Sequence, residues 1–264
     1  MRFENSWTGN WANAFHGLRH PMESYGKSDS QFGIAESDEW LKECANEVIY
    51  SYNENPENFS EERDKLYNKG VLYWGKYASE FAFIGKNDLD LAQRMIKAGS
   101  PNDKFLRQIF VSVDITAPEY FWSQLDTYKV ATVANSTSKM HKLASTPITK
   151  ECFEMDDYNG SLKLYDKEPY NTDDYVDDMW ESLICYCETL RQRYLETKDM
   201  KYWKELIRVL PESWLQTRAW SANYSTLRGI IHWRRGHKLS EWSQFIDWTK
   251  SLPYSEELLF YAQD

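Results

Sequence analysis

Apolar residues recur at helical spacing in five segments of the chain. The first of them begins with Ser37 as a possible cap and has an acidic first turn. Its apolar side chains share one face, as is typical of a capped amphipathic helix. The second segment starts at Asn87, a favourable cap, and stops at Gly99, which suits a left-handed helix end. The pattern therefore predicts five amphipathic helices. They cover residues 37–52, 87–101, 173–197, 199–211 and 240–253.

A period of two marks one clear strand at residues 108–116, where one face is apolar and the other is mixed. The inward set is Ile109, Val111, Val113 and Ile115, and the outward set is Phe110, Ser112 and Asp114. Thr116 is expected to cap the next helix, because Pro118 suits a first helical turn. A second strand is predicted at 215–224, before a helix that ends at Gly236. A strand followed by a helix therefore occurs twice.

The stretch TYKVATVANSTSKMH, residues 127–141, interrupts these patterns with small hydroxyl side chains. Such residues compete for backbone hydrogen bonds, so the stretch is a poor helix and a poor core. We interpret it as a ligand-facing segment. Residues 144–172 have weak periodicity and are interpreted as an insertion.

Composition and charge exclude several classes of protein. With 264 residues and 42% hydrophobic content, the chain can bury a substantial core. A net charge of −10 argues against duplex nucleic acid as a partner, because neutralising phosphates requires a basic surface. The cysteines lack metal-pair spacing, and Cys185 and Cys187 lie in a helical pattern that predicts core positions. No segment approaches membrane-spanning length, so we expect a soluble cytoplasmic protein with no membrane partner.

No motif identifies a catalytic group or a metal site. The glycine-rich phosphate loops, the nucleophile elbow and the zinc signatures are all absent from the sequence. We therefore predict no catalytic residue and no metal ligand. The 16% aromatic content points either to aromatic-rich packing or to flat contacts with other subunits or planar ligands.

Residues 108–141 and 208–235 form two blocks of sequence that together resemble the flavin-dependent thymidylate synthase family. In the first, the strand at 108–116 leads to Ala-Pro, an aromatic run and Gln124, as it does in the family. Counted from that Ala-Pro pair, the family's Arg-His-Arg triplet falls on Thr127, Tyr128 and Lys129, and its later Ser, Ser and Arg fall on Thr132, Thr137 and Lys139. The second block resembles the family's Leu-Pro, strand and helix, with Pro211, Trp220, Asn223, Leu227 and Arg234 in register.

The resemblance implies a fold, an assembly and a set of ligands. The fold is α+β, a helix-rich subunit whose mainly antiparallel sheet is packed by helices. Residues 1–264 form a single domain with a divergent N-terminal region, 1–86, and an insertion around 144–172. The assembly is a homotetramer with active sites between subunits. The ligands are FAD, dUMP, methylenetetrahydrofolate and NADPH. Hydride chemistry on the flavin fits a chain without a recognisable nucleophile.

The resemblance also assigns ligand contacts to the matched positions. The implied cofactor-binding residues are Lys129, Asn223 and Arg234, and the implied substrate-binding residues are Gln124, Thr132, Thr137, Ser138, Lys139 and Arg234. Plainer roles stay open for several of them. The two lysines suit a solvated surface, the hydroxyl residues suit a turn, and Asn223 suits a helix N-cap.

The loss of charged residues at two matched positions leaves two hypotheses for the function. Thr127 and Tyr128 replace an arginine and a histidine of the family, and each lost charge-assisted hydrogen bond is worth about 1.5–3 kcal/mol. FAD binding is therefore weakened unless another arginine compensates, and the candidates are Arg218, Arg228, Arg234 and Arg235. One hypothesis is reductive methylation of dUMP to dTMP. The other is a catalytically inactive homologue that binds or sequesters another nucleotide, in the manner of a phage accessory protein.

Overall fold

The computed structural model describes residues 1–52, 58–74, 77–138, 143–163 and 175–263. Within them the chain is an α+β protein. The strands are β1 (Arg2–Gly9), β2 (Gln31–Ile34), β3 (Val71–Trp74), β4 (Tyr77–Phe83), β5 (Phe110–Pro118), β6 (Val133–Ser136) and β7 (Leu215–Asn223). The helices are α1 (Trp11–Arg19), α2 (Asp38–Tyr52), α3 (Phe59–Gly70), α4 (Lys86–Ala98), α5 (Glu119–Leu125), α6 (Val176–Thr197), α7 (Met200–Val209), α8 (Tyr224–Arg234) and α9 (Ser240–Lys250).

The strands form two sheets, a four-stranded one in the order β1-β5-β7-β6 and a three-stranded one in the order β2-β4-β3. Facing hydroxyl pairs fix the direction of β5 and β7. Thr116 Oγ1 lies 2.7 Å from Thr217 Oγ1, and Ser112 Oγ lies 3.3 Å from Ser221 Oγ. Residue numbers rise along one strand as they fall along the other, so the two strands are antiparallel.

The chain folds into two compact units, and β5 and β7 each contribute residues to both. The larger unit contains residues 2–115, 128–134 and 219–264. Its three-stranded antiparallel sheet is covered by α2 and α3 through a buried cluster of Leu41, Cys44, Ala45, Val48, Val71, Phe81 and Phe83. The larger unit also buries apolar residues of β5, α8 and α9, which include Val111, Val113, Leu227, Ile231, Trp242 and Phe245.

The smaller unit contains Met1 and residues 116–127 and 135–218. Its core is formed by Leu143, Ile148, Phe153, Cys187, Leu190 and Leu206, with α6 and α7 as its main helices. Ile148 and Phe153 belong to the segment with weak periodicity. That segment has little regular structure in its described part, yet it contributes two side chains to the core.

All the predicted helices and both predicted strands are confirmed, but two predicted caps are wrong. Ser37 does cap α2, since its Oγ accepts the Trp40 N–H at 3.2 Å. Thr116 instead lies in β5, where its hydroxyl pairs with β7 and the helix begins only at Glu119. Asn87 lies inside α4, whose first N–H groups donate to the carboxylate of Asp29, at 2.8 Å from Asn87 and 3.1 Å from Asp88. A distant carboxylate therefore replaces the local cap.

Further differences concern the N-terminal region and one cysteine. Strands β1 to β4 and helices α1 and α3 lie in residues 1–86, where the sequence predicts only the helix at 37–52. Cys187 is buried as predicted, whereas the prediction of a core position for Cys185 is wrong because Cys185 is exposed. Residues two positions apart on an α-helix do not share a face. Among the helices of the described residues, none combines the length and apolar character needed to cross a membrane.

Candidate functional site

The hydroxyl-rich stretch forms a tight turn at residues 128–133, in the larger unit. Ala131 adopts a left-handed conformation with φ 58°, which is uncommon for a residue with a side chain. Thr132 Oγ1 donates to the Tyr128 carbonyl oxygen, and Thr226 Oγ1, on α8, donates to the Val130 carbonyl oxygen at 3.3 Å. Local hydroxyl bonds and α8 therefore hold the turn in place.

A cation is fixed at the start of this turn. Arg234, in the last turn of α8, donates from Nε to the Tyr128 hydroxyl oxygen at 2.9 Å. Its guanidinium carbon lies 4.3 Å from the ring centroid of Trp242 and 5.4 Å from that of Tyr128. Both rings present π-electron density to the cation, an attraction worth about 0.5–2 kcal/mol. Arg234 is therefore a held cation and not a mobile surface charge.

An open groove of about 490 Å³ begins at the other end of the turn. It is lined by Trp7, Phe110, Val111, Ser112, Ala131, Thr132, Val133, Ser221 and Ala222, all of the larger unit. These described lining residues are apolar, aromatic or hydroxylic, and none of them is charged. Phe110 is 47% exposed on the outward face of β5. The volume lies within the range of small-molecule sites.

The hydroxyl groups of the groove offer both a donor and an acceptor. Ser221 Oγ donates to Ser112 Oγ at 3.3 Å, a bond that does not use the proton of Ser112. Thr132, which also lines the groove, donates its hydroxyl proton to the Tyr128 carbonyl, so its oxygen can act only as an acceptor towards a ligand. The sequence reasoning missed Phe110, Ser112 and Ser221. The two-residue alternation places Phe110 and Ser112 on the outward face of their strand, and this position is the sequence signal that could have identified them.

The predicted contact residues divide between the two units. Lys129, Thr132, Asn223 and Arg234 belong to the larger unit, and Gln124, Thr137 and Ser138 to the smaller one. Lys139 lies outside the described residues. The structure thus brings the turn, Thr132 and Arg234 together in one unit, and Lys129 is exposed within that turn.

In the smaller unit, the predicted residues have backbone roles. The Thr137 N–H donates to the Thr217 carbonyl oxygen at 2.9 Å, and the Thr137 carbonyl accepts from Gln216 Nε2 at 2.8 Å. Gln124 is half-buried on α5, and its carbonyl accepts the Thr127 hydroxyl at 2.7 Å. Ser138 is half-buried at the end of the same stretch.

Asn223 occupies the N-cap of α8. Its side chain accepts the Thr226 N–H at 2.9 Å, and the residue is 5% exposed. Asn223→Ala is expected to lower the free energy of unfolding by about 1 kcal/mol, because an orphan N–H of the helix loses its acceptor. Urea unfolding measures this change. Asn223→Asp keeps the acceptor and serves as the control, and a loss as large as that of the alanine variant would contradict the capping role.

The remaining arginines proposed to replace the lost charges are held by the protein itself. Arg218 donates to Asp126 Oδ2 at 2.9 Å and lies 3.7 Å from Glu119 Oε2, within the smaller unit. Arg228 donates from Nη1 to the carbonyl oxygens of Leu258, Leu259 and Tyr261, at 2.7, 2.9 and 3.0 Å. Burial lowers the pKa of the Arg228 guanidinium. Arg235 donates to the Gln263 carbonyl oxygen at 3.1 Å.

Comparison with known proteins gives a structural likeness without a sequence relative. No protein-family model and no curated protein sequence matches the chain. The crystal structure of the flavin-dependent thymidylate synthase ThyX from Helicobacter pylori, complexed with FAD and dUMP, is similar with a TM-score of 0.56 and 14% identity, over 100% of this chain and 99% of that one. A second structure of the same enzyme with FAD and dUMP has a TM-score of 0.56 and 14% identity, over 98% and 97%. The predicted α+β fold of thymidylate synthase X type is thereby confirmed.

Proposed function

We propose that this chain is a nucleotide-binding protein whose ligand lies in the groove and against the 128–133 turn. The groove carries the proposal, because its volume, its aromatic wall of Phe110 and Trp7 and its hydroxyl groups suit a planar heterocycle. The likeness to a fold that holds FAD and dUMP in other proteins supports the same ligand class. In this proposal Thr132 contacts the ring, while Arg234 and Lys129 supply positive charge beside it.

Reductive methylation of dUMP to dTMP is the second candidate function, favoured by the likeness over the full length of both chains. The reaction requires FAD, NADPH and methylenetetrahydrofolate. A bound flavin would supply the hydride chemistry. The volume of the groove suits a planar ring such as that of a flavin, but the four arginines that the sequence offered for a flavin diphosphate, Arg218, Arg228, Arg234 and Arg235, each donate to a protein group. We therefore rank nucleotide binding without catalysis first.

The remaining elements of the proposal concern residues and assembly. We propose Gln124, Thr137, Ser138 and Lys139 as further substrate contacts and Asn223 as a cofactor contact besides its capping bond. The likeness over whole chains supports a single domain of this fold, and the homotetramer of the resembling family is the proposed assembly.

The spectrum of the purified protein and calorimetric titrations with dUMP and FAD test the proposal. Binding of dUMP by a colourless protein supports a nucleotide-binding role without catalysis. A flavin absorption band, with consumption of NADPH in the presence of dUMP and methylenetetrahydrofolate, supports the enzyme instead. Absence of binding by both compounds at millimolar concentration would contradict the proposed site.

Phe110→Ala is expected to raise the dissociation constant for dUMP by about 5- to 150-fold, because stacking of a base on an aromatic ring is worth about 1–3 kcal/mol. Isothermal titration calorimetry measures the change. Tyr186→Ala is the matched control, since Tyr186 is also 47% exposed but lies on α6 in the smaller unit. Equal effects of the two substitutions would exclude the groove as the binding site.

A further inference from the structure

In the larger unit, the described lining of the groove carries no charge, while the candidate arginines bind groups of the protein itself. The described groove lining is uncharged, whereas the arginines that the sequence offered for a phosphate are already bound by protein groups. We infer that the site recognises the ring of its ligand and gains little from a phosphate, so that it binds an uncharged nucleoside about as well as the nucleotide. This inference rests on the proposed function and names the ligand class for it.

The hydroxyl groups have the donor and acceptor character that the edge of a cyclic imide requires. The proton of Ser112 can be donated to a ring carbonyl, and Thr132 Oγ1 can accept a ring N–H. Alternating carbonyl and N–H groups of this kind occur in uracil and in the isoalloxazine ring of flavins. Phe110 and Trp7 supply apolar surface for the ring faces. Recognition of a neutral ring therefore needs no group beyond those of the groove.

Moving one of these arginines towards a phosphate would break existing bonds. Movement of Arg228 would remove the donor from three carbonyl oxygens near the C-terminus. Movement of Arg234 would remove its bond to Tyr128 and its stacking on Trp242. Loss of such bonds offsets the gain from a new ion pair. Lys129 is exposed, and a solvated point charge changes a dissociation constant by less than about fivefold.

Paired calorimetric titrations test the inference, with deoxyuridine against dUMP and riboflavin against FMN. Within each pair we expect dissociation constants that agree within about fivefold and change little with salt, because exposed charges are screened. A phosphate read by a guanidinium would tighten binding by about 10- to 150-fold and make it salt-dependent. That result would overturn the inference while leaving the proposed function intact. Absence of binding by all four compounds would overturn both.

Ser112→Ala locates the recognition in the groove. We expect both members of a pair to weaken by the same factor, about 2- to 12-fold, because the imide loses one neutral hydrogen bond. Ser182→Ala is the control, since Ser182 is an exposed serine of α6 in the smaller unit. Thermal unfolding of each variant confirms that it is folded. Weakening of the phosphorylated member alone would contradict recognition of the ring by Ser112.

Discussion

Asp88→Ala is expected to lower the free energy of unfolding by about 3–5 kcal/mol, because it leaves a buried charge without its partner. Asp88 has no exposed surface and accepts Arg19 Nε at 2.5 Å and Ser28 Oγ at 2.6 Å. Arg19 is itself only 5% exposed, and its Nη2 has no hydrogen-bond partner within the described part of the chain. After the substitution, few other groups could therefore compensate the charge of the Arg19 guanidinium.

Urea unfolding of matched variants isolates this effect. Asp90 lies on the same helix and forms an exposed pair with Arg94 at 2.8 Å, so Asp90→Ala should change stability by less than about 1 kcal/mol. Replacing both members of the buried pair, by Arg19→Met with Asp88→Leu, should recover most of the loss. If the two alanine variants lost similar stability, the buried pair would not have the role assigned to it.

A second large effect is expected in acid, where the smaller unit should lose up to about 3 kcal/mol through Glu188. Hydrogen bonds from Arg191 are the main cause that holds the pKa of this carboxyl at about 2, below the usual 4.5. Arg191 donates from Nε at 2.7 Å and from Nη2 at 2.6 Å, and the Ile148 N–H and Gln192 donate as well. The Glu188 side chain is 27% exposed, which makes 3 kcal/mol an upper value.

The direction of the pH dependence follows from the lowered pKa. The unfolded chain takes up the proton near pH 4.5 and the folded chain only near pH 2, so the contribution is complete above pH 4.5 and disappears as the pH falls towards 2. Glu188→Gln should lower stability at neutral pH and remove this part of the acid dependence. Urea unfolding from pH 2 to 7 measures the difference between the two proteins.

Glu196 provides the matched control for that experiment. It lies on the same helix and forms an exposed pair with Arg193 at 3.5 Å. Glu196→Gln should leave both the stability and its pH dependence within about 1 kcal/mol of the parent protein. A Glu188→Gln variant with the same acid dependence as the parent would show that other carboxyl groups are responsible.

The relation between fold and ligand is the main functional question for this chain. The likeness to thymidylate synthase X extends over the full length of both chains, yet Thr127, Tyr128 and Lys129 stand at the positions that the sequence resemblance matches to an Arg-His-Arg triplet. Tyr128 accepts a hydrogen bond from Arg234, the best-matched cation of the family pattern. The Tyr128 hydroxyl thus takes the Nε–H of that guanidinium and, with the ring of Trp242, holds it in place. This contact is the physical basis for preferring ring recognition.

Local patterns were enough for the elements whose signals are contained within them. The alternation in β5 matches its burial, and α4 stops at Gly99, whose φ of 68° is one that glycine adopts readily. Asn223 caps α8 from the position that the sequence suggested. Each of these features depends on residues within a few positions of one another, so hydrophobic period and capping chemistry determine them.

Short strands and remote caps could not be predicted from the sequence, because the residues that stabilise them lie far apart along the chain. Strands β2 and β3 are four residues long, too short for a clear alternation, and they are stabilised by pairing with β4. The start of α4 is capped by Asp29, and Thr116 remains in its strand because Thr217 faces it. Only the folded chain brings such partners together.

The sequence by itself determined the long helices, the strand that carries Phe110 and Ser112, and the hydroxyl-rich stretch that borders the groove, and its family resemblance implied the α+β class. The tertiary structure decided which cations have protein partners. Arg228 meets carbonyl groups about thirty residues away, and Arg234 meets Tyr128 across 106 positions. A side chain's charge can be read from the sequence, but its hydrogen-bond partners depend on folding, because they come from residues that only the fold makes neighbours.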